Sequence, residues 1–381
     1  MALEFSPFTV AVPDATLTDL HDRLARTRFP EQIDGAAWDY GTELGYQREL
    51  VGYWRDHFDW RAQEARINAF DQFTTTIDGA RVHCIHQRSP EPDALPLVVT
   101  HGWPGSVVEF LEVIGPLTDP RAHGGDPGDA FHVVAPSIPG YAFSGPTHDR
   151  GWSPNRIARA WATLMDGLGY DRYGAQGGDW GAIITTQLGL VDPAHLAGIH
   201  LNMVVAGPPP EGPGELTPTE AQGLADMASY FETDSGYLQI QSTKPQTIGY
   251  SLDDSPAGLA AWIVEKFRSW SDCGGDVESV FSRDHLLANI MCYWVTGTAH
   301  SSARLYYENR VGGGFAAEGR VEVPTGAAIF PREIIRPPRR WAEHAFNLVH
   351  WTEQPRGGHF AAMEQPELFV DDVRAFFRTV R

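Results

Sequence analysis

The spacing of apolar positions along the chain predicts strands that alternate with helices. Between residues 70 and 205, short continuous apolar runs such as 97–100 and 131–135 alternate with stretches whose apolar residues recur at helical spacing. The first pattern predicts buried strands and the second predicts covering helices. The same alternation resumes after residue 310. Strands are also predicted at 196–205 and 346–351, and helices are predicted to start at Pro154 and Pro256. The sequence therefore predicts an α/β fold, a mostly parallel sheet with helices on both faces.

Two segments depart from this alternation. Residues 1–69 carry Leu17, Leu20 and Leu24 at helical spacing, followed by a series of large aromatic residues. Because aromatic side chains gain most by packing, we predict that this segment wraps onto the main domain.

The second segment, residues 206–309, opens with a proline- and glycine-rich stretch typical of a stiff linker and continues with aromatic-rich helices. We interpret it as a helical lid over the catalytic edge of the sheet; a separate small domain without catalytic residues is the alternative. The predicted boundaries are 1–69 for the N-terminal segment, 70–205 and 310–381 for the two parts of the core, and 206–309 for the lid.

The composition restricts the partners of the chain. Its 381 residues include 29 Lys and Arg against 49 Asp and Glu, which makes the net charge −20. That acidity argues against a nucleic acid or an anionic membrane surface as partner. Residues 1–8 are too short and too polar for a signal peptide, and no apolar run reaches transmembrane length. The expected partner is a small molecule, and a homodimer is left open as the oligomeric state.

Three cysteines, Cys84, Cys273 and Cys292, are widely spaced along the chain. Their number and spacing predict neither a disulfide framework nor a metal site. A chain of this kind is expected in the reducing cytoplasm.

A glycine-flanked aspartate is the strongest chemical signal. A strand-like run over 173–176 leads to Gly-Gly-Asp-Trp-Gly at 177–181, and an apolar helical run follows at once. Glycines permit a strained turn that lifts one side chain above a sheet, as in the nucleophile elbow of serine hydrolases. A carboxylate is already an anion at neutral pH, so Asp179 is suited to attack a saturated carbon and form an ester. The alternative is a tight turn with an Asx hydrogen bond and no chemistry.

An ester on the enzyme must be hydrolysed, which requires a base for water and a group that orients the base. His359 lies in the loop after the last predicted strand, and Glu333 follows the preceding one. We predict that Glu333 accepts a hydrogen bond from one ring nitrogen of His359. A surface ion pair with a neighbouring arginine is the alternative for Glu333. Glu343 and Glu353 compete for the role, but neither is predicted at the carboxyl end of a strand.

The tetrahedral intermediate of ester hydrolysis needs hydrogen-bond donors for its oxyanion. The backbone N–H groups of Trp103, after the predicted strand at 97–100, and of Trp180, after the nucleophile, are the candidates. Pro104 leaves open whether its peptide bond with Trp103 is cis. His101 is expected to shape this turn rather than to carry a proton.

These motifs resemble those of epoxide hydrolases of the microsomal type, within the α/β-hydrolase superfamily. The resemblance covers nearly the whole chain and implies an α/β-hydrolase fold. The motifs are the N-terminal segment, His-Gly-Trp-Pro-Gly-Ser at 101–106, Gly-Gly-Asp-Trp-Gly at 177–181, Phe-Pro-x-Glu at 330–333, Gly-Gly-His-Phe at 357–360, and lid stretches at 234–237, 241–245, 254–260 and 302–309.

The resemblance implies that two lid tyrosines donate hydrogen bonds to the epoxide oxygen. The matching positions are Tyr237 and Tyr306; Tyr306 is preferred to Tyr307 because the family pattern is tyrosine, any residue, glutamate. A phenol suits this role because it donates a hydrogen bond and stabilises a nascent alkoxide. Ordinary aromatic packing is the alternative for each tyrosine.

The implied reaction converts an epoxide and water to a vicinal diol through an aspartyl ester, without a cofactor or a metal. A haloalkane dehalogenase with the same nucleophile and a non-catalytic hydrolase-like binding protein are the alternatives. The aromatic lid favours an apolar substrate, an aryl or bulky epoxide. Detoxification and natural-product synthesis are both open as roles.

One departure from the family pattern concerns the N-terminus. Microsomal enzymes of animals carry an N-terminal membrane anchor, whereas this chain begins with the N-terminal segment itself. The resemblance is therefore to soluble bacterial or fungal members, and a membrane is not expected as a partner.

Overall fold

A computed structural model describes residues 3–315 and 319–381. Within this part of the chain, strands and helices alternate as predicted between residues 70 and 205. The strands are β1 (Ser6–Pro7), β2 (Gln72–Ile77), β3 (Ala80–Gln87), β4 (Leu95–Thr100), β5 (Phe131–Pro136), β6 (Tyr173–Gly177), β7 (Leu196–Leu201), β8 (Val321–Ile329) and β9 (Phe346–Glu353).

The helices begin and end close to the signals in the sequence. Ser255 caps α10, where its hydroxyl accepts the N–H of Gly258 at 3.0 Å, and α5 starts at the predicted Pro154. The helices are α1 (Asp14–Ala25), α2 (Leu44–Asp56), α3 (Trp60–Ile67), α4 (Leu111–Thr118), α5 (Pro154–Gly167), α6 (Trp180–Val191), α7 (Pro218–Thr233), α8 (Gly236–Thr243), α9 (Pro245–Asp254), α10 (Pro256–Trp270), α11 (Arg283–Trp294), α12 (Ala299–Val311), α13 (Arg339–Ala345), α14 (Ala361–Glu364) and α15 (Pro366–Phe377).

All the strands join one sheet in the order β1-β2-β3-β5-β4-β6-β7-β8-β9. The pairs from β5 to β9 are parallel, and β1, β2 and β3 add an antiparallel edge. Parallel strands bring their carboxyl ends to one edge, so the loops after β4, β6, β8 and β9 meet there. These loops carry the predicted site residues of the core.

Both faces of the sheet are covered, which explains the continuous apolar runs of the central strands. In β4, Val98 packs into the core on the side of α5 and α6, whereas Leu97 and Val99 pack on the side of α4 and α15. Successive side chains of a strand point to opposite faces, so a sheet buried on both sides needs apolar residues at every position.

The helices α7 to α12 lie between β7 and β8 in the chain, over the range predicted for the lid. The proposed domain boundaries themselves remain predictions. Among the described residues, none of the helices combines the length and the apolar character that crossing a bilayer requires.

The N-terminal segment packs mainly on this helical part rather than on the sheet. Helices α1 and α2 contact α10, and α2 and α3 contact α11. Trp54 and Trp60 are buried as predicted, and the hydroxyl of Tyr53 donates to Asp284 of α11 at 2.8 Å. Tyr40 departs from the expected packing, since it is 80% exposed on a turn.

Two strand ends differ from the prediction. The strand β7 ends at Leu201, whereas the apolar pattern suggested Val205. Beyond it, the side chain of Asn202 accepts a hydrogen bond from Gln176 at 2.8 Å, and the chain leaves the sheet. The strand β9 extends past Trp351 to Glu353 and pairs with β8 along this length, although its last residues are not apolar.

The turn between β6 and α6 has the strained backbone predicted for the elbow. Asp179 has φ 49° and ψ −127°, a left-handed conformation that is costly for a residue with a side chain. The close packing beneath it requires glycine: a Cβ atom on Gly181 would lie 1.8 Å from the carbonyl oxygen of Thr100 in β4. The first turn of α6 therefore rests directly on the end of the neighbouring strand.

We expect Gly181→Ala to destabilise the fold, because the added methyl group overlaps backbone that cannot move away alone. The free energy of unfolding should fall by about 2 kcal/mol or more in urea titrations. Gly52→Ala in α2 is the matched control, because none of the described atoms lies within 4 Å of its Cβ position. That control should gain about 0.5–1 kcal/mol, and equal losses in both variants would contradict this account of the elbow.

Candidate active site

The carboxylate of Asp179 is held at the apex of the elbow by one backbone donor. The N–H of Trp103, in the loop after β4, donates to its Oδ1 at 2.7 Å. Among the described residues, Trp103 is the one of the two predicted N–H donors that bonds the carboxylate in this geometry. The role of the Trp180 N–H, at the first position of α6, stays a prediction.

The loop that presents Trp103 is tied to the helices above the sheet. The Trp103–Pro104 peptide bond is cis, which answers the question that the sequence left open. The side-chain amide of Asn289 in α11 donates to the carbonyl of Pro104 at 2.7 Å, and the hydroxyl of Tyr293 donates to the carbonyl of Gly105. The loop that carries the N–H donor for Asp179 is therefore held by β4, which it follows, and by α11 of the inserted helical part.

His359 lies between two carboxylates. Its Nε2 is 3.4 Å from Oδ2 of Asp179, and its Nδ1 donates to Oε1 of Glu333 at 2.7 Å. The backbone N–H of His359 also donates to the carbonyl of Trp270 at 2.9 Å, which fixes the loop. The structure thus brings together the three residues that the motifs predicted, with Glu333 inside the site rather than in a surface ion pair.

The two carboxylates govern the protonation of His359. Burial by itself lowers the pKa of the imidazole, but the charge and hydrogen bonds of Glu333 and Asp179 outweigh it and raise the pKa well above its usual value. The resting site therefore holds an imidazolium flanked by two anions. Because Asp179 provides part of this stabilisation, loss of its negative charge would lower the pKa of His359.

Tyr237 of α8 and Tyr306 of α12 both face this site and are 5% and 3% exposed. The indole of Trp103 stacks on Tyr237 with centroids 4.9 Å apart and meets Tyr306 edge-on at 5.8 Å. Burial raises the pKa of both phenols well above the usual value, so both stay protonated as donors. Tyr307 is 39% exposed, which supports the choice of Tyr306 over its neighbour.

A pocket of about 160 Å³ opens onto these groups. Asp179, Tyr237 and Tyr306 line one side of it. The remaining wall is almost entirely apolar, and it includes Trp180, Met203, Met227, Phe231, Leu238 and Phe315.

A second, larger cavity of about 730 Å³ adjoins this pocket. The two share Tyr230, Tyr237 and Ile334, but the lining of the larger cavity is rich in charged residues and does not include Asp179. Of these two, the apolar pocket is the one that reaches Asp179 and is therefore the candidate substrate site.

Glu109 is a functional candidate that the sequence did not reveal. A cavity of about 10 Å³, close to the space that one water molecule needs, is lined by Glu109, Asp179 and His359. Glu109 keeps some accessible surface, although protein atoms surround its carboxyl group. Burial raises the pKa of Glu109 to about 8. In the sequence, Glu109 follows Ser106 at the spacing of a helix-capping pattern, which explains the glutamate without any chemistry.

The competing acids lie outside the site. Glu343 is exposed and pairs with Arg339 at 2.9 Å. Glu353 is the last residue of β9, so its exclusion by position was wrong, but its side chain is exposed and Glu333 occupies the place beside the histidine.

His101 is buried and shapes the turn, as expected from the sequence. Its Nδ1 donates to the carbonyl of Gly102 at 3.0 Å, and its Nε2 accepts the N–H of Ile138 at 3.2 Å. Burial lowers its pKa to about 4, so the ring is neutral near pH 7 with both nitrogens occupied.

Comparisons with known proteins decide the family. Residues 5–110 match the family described as epoxide hydrolase N terminus, and residues 96–243 match the alpha/beta hydrolase fold. A protein of Stigmatella aurantiaca (strain DW4/3-1), provisionally named an epoxide hydrolase, is 50% identical over 99% of this chain and 85% of its own. Epoxide hydrolase 1 of Oryctolagus cuniculus is 38% identical over 97% of this chain and 88% of its own. The chain belongs to the epoxide hydrolase family.

The fold of the family is confirmed by a solved relative. The structure of Aspergillus niger epoxide hydrolase matches with a TM-score of 0.89 and 33% identity, and the match covers 100% of this chain and 97% of that chain. The predicted α/β-hydrolase fold is therefore correct. The predicted activity, hydrolysis of an epoxide, is confirmed by family membership, and these relatives favour neither a dehalogenase nor a non-catalytic binding protein.

We expect Asp179→Asn to lower the pKa of His359. The amide keeps the shape of the side chain but removes one of the two negative charges that stabilise the imidazolium. An NMR titration of the His359 ring in the two proteins measures the shift. Asp234→Asn is the control, because it changes a carboxylate that pairs with Lys266 rather than with the histidine. It should leave the pKa of His359 unchanged. An unchanged or higher pKa in the Asp179 variant would contradict the electrostatic coupling.

Proposed function

We propose that this epoxide hydrolase opens its substrate with Asp179 and hydrolyses the resulting ester with His359. One observation carries the proposal: the two oxygens of the Asp179 carboxylate have different partners. Oδ1 is bound by the N–H of Trp103 at 2.7 Å, whereas Oδ2 lies 3.4 Å from the imidazole. The same carboxylate lines the apolar pocket with the two phenols, so nucleophile, base and proton donors converge on one space.

In the first step, a carboxylate oxygen of Asp179 attacks one oxirane carbon, and the bond between that carbon and the ring oxygen breaks. The oxygen develops negative charge and receives a proton from Tyr237 or Tyr306, whose burial keeps both phenols protonated until that moment. The product is a hydroxyalkyl ester of Asp179.

In the second step, water attacks the carbonyl carbon of the ester. Glu109 and His359 line the small cavity beside Asp179, so a water held there lies next to its target. His359, oriented by Glu333, takes a proton from this water. The N–H groups of Trp103 and Trp180 stabilise the oxyanion, and collapse of the intermediate releases the diol and the Asp179 carboxylate.

The charge change at Asp179 sets the order of the two steps. Before alkylation, both carboxylates favour the imidazolium form of His359, which cannot act as a base. Ester formation removes one of the two charges, so the pKa of the histidine falls and the imidazolium releases its proton to solvent, which makes the neutral base available when water must be activated. Formation of the ester therefore makes available the base that its hydrolysis needs. His359 takes up a proton from solvent again when the Asp179 carboxylate re-forms.

The substrate we propose is an apolar epoxide with an aryl or other bulky group. The aromatic and aliphatic residues that line the pocket together with Asp179 support this choice, because they offer such a group an apolar surface and few polar partners. The epoxide ring itself is expected at the polar end, between the carboxylate and the phenols.

We also propose that the enzyme works in the cytoplasm. Cys84, Cys273 and Cys292 are free and buried, a state that suits a reducing compartment. A homodimer stays a prediction.

Incubation with styrene oxide tests the mechanism. Asp179→Ala should abolish diol formation, because the nucleophile is lost, whereas His359→Gln should form the ester and fail to hydrolyse it, so intact mass rises by one substrate. Asp372→Asn is the control: it removes a buried carboxylate that bonds His200 rather than His359, and so shows the general effect of losing a buried charge. Turnover by the Asp179→Ala protein, or halide release from a 1-haloalkane at a comparable rate, would end the proposal.

Glu109→Leu is expected to slow ester hydrolysis by about 100-fold, because the water loses a polar partner and its position relative to the ester. The alkylation rate should stay within about twofold, since this step uses no water. Rapid-quench single turnovers resolve the two steps. Glu112→Leu, an exposed glutamate of α4, is the control that should leave both steps unchanged. Equal losses in both steps of the Glu109 variant would refute a role in holding water.

A further inference from the structure

A third buried tyrosine is hydrogen-bonded to one of the two that the family pattern identifies. Tyr230, near the end of α7, places its hydroxyl oxygen 2.7 Å from that of Tyr237. Both side chains are buried, at 8% and 5% exposure, so this hydrogen bond is shielded from water. Neither the apolar pattern of α7 nor the motifs of the lid distinguished Tyr230 from a packing residue.

The direction of this hydrogen bond follows from counting protons. A phenol carries one O–H, which can donate to one acceptor while the oxygen accepts from another donor. When Tyr237 donates to the epoxide oxygen, it has no proton left for Tyr230. The proton between the two tyrosines must then belong to Tyr230, which makes Tyr230 the donor and Tyr237 the acceptor. By contrast, the hydroxyl of Tyr306 has no partner among the described residues and is free to donate to the substrate.

We propose that Tyr230 is a positioning residue for epoxide opening, which donates a hydrogen bond to Tyr237 and stabilises the charge that Tyr237 acquires. This inference rests on the proposed function of Tyr237 as a proton donor. Tyr230 does not touch the epoxide oxygen; it acts through its neighbour. The catalytic unit on the lid is a chain of two phenols on one side of the oxygen and a single phenol, Tyr306, on the other.

The surroundings of Tyr230 suit a donor that keeps its proton. Burial, together with the charges of Asp179, Asp234 and Glu333, raises the pKa of Tyr230 above its usual value, although the bond to Tyr237 opposes this shift. The ring is fixed by Phe231, with centroids 5.0 Å apart, and by Trp270 at 6.2 Å. A rigid donor of this kind costs little reorganisation when charge appears on its partner.

The proton balance of the reaction is simple. As the carbon–oxygen bond of the oxirane breaks, its electron pair goes to the ring oxygen, which takes the proton of Tyr237. The phenolate oxygen of Tyr237 then accepts the hydrogen bond of Tyr230. Water later supplies one oxygen atom to the carbonyl carbon of the ester and two protons. One proton passes through His359 and completes the diol, and the other, released when the Asp179 carboxylate re-forms, returns to Tyr237.

Tyr230→Phe tests the proposal, because it keeps the ring and removes only the hydroxyl. We expect the rate constant of alkylation by styrene oxide, measured by rapid quench and intact mass, to fall about tenfold. A hydrogen bond to a charged group is stronger than one to a neutral group, and a phenolate that is only partly formed in the transition state gains part of that difference. The rate constant of ester hydrolysis should not change, since Tyr237 carries no new charge in that step.

Two controls separate this role from packing. Tyr250→Phe removes the same atom from an exposed lid tyrosine and should leave both rate constants unchanged. In a Tyr237→Phe background, Tyr230→Phe should change alkylation by less than about twofold, because its acceptor is gone.

Three results would overturn the inference. These are an alkylation rate within about twofold of the parent protein, equal losses in both steps, or a tenfold loss that persists without the Tyr237 hydroxyl. A parent protein that forms no ester at all would instead overturn the proposed function, and the inference with it.

Discussion

The site depends on a backbone conformation that an aspartate adopts only at a cost. Asp179 sits at φ 49°, and this geometry persists because α6 begins in direct contact with the end of β4, at Gly181. The bend lifts the carboxylate above the sheet and turns its two oxygens towards different neighbours. One oxygen meets a backbone N–H and the other an imidazole, so one group can serve as nucleophile and, after alkylation, as the electrophile that water attacks.

The remaining chemistry is assembled where the sheet meets the helices inserted after β7. The loop that carries Trp103 is bonded to α11 through Asn289 and Tyr293, and α11 in turn is braced by the N-terminal segment through Tyr53 and Asp284. Residues distant in sequence therefore hold the N–H donor that bonds Asp179. The N-terminal segment therefore contacts the same helix that holds the loop of Trp103.

Much of this could be predicted from the sequence, because some signals are local. The glycines around Asp179 predict a strained turn. The apolar runs predict that Glu333 and His359 follow parallel strands, whose carboxyl ends meet at one edge of the sheet. Glu109 and Tyr230 were missed because their roles depend on what folds over them. A glutamate at a capping position and a tyrosine in an aromatic helix each have an ordinary structural explanation, and only a neighbouring cavity or hydroxyl group changes it. The extent of β9 was underestimated for a related reason, since its last residues pair with β8 without being apolar.

Trp103 contacts the site through both its main chain and its side chain, and these contacts restrict the space for a substrate. Its main chain is bonded to Asp179, while its indole lies flat against Tyr237. Asp179 and Tyr237 thus both contact this one residue, so a movement of Trp103 would change the positions of both groups. In the proposed mechanism the epoxide ring lies between these two groups, so the position of Trp103 affects the space that the ring can occupy. Substrates can then differ in the groups that extend into the apolar pocket, where the size of a group decides whether it fits.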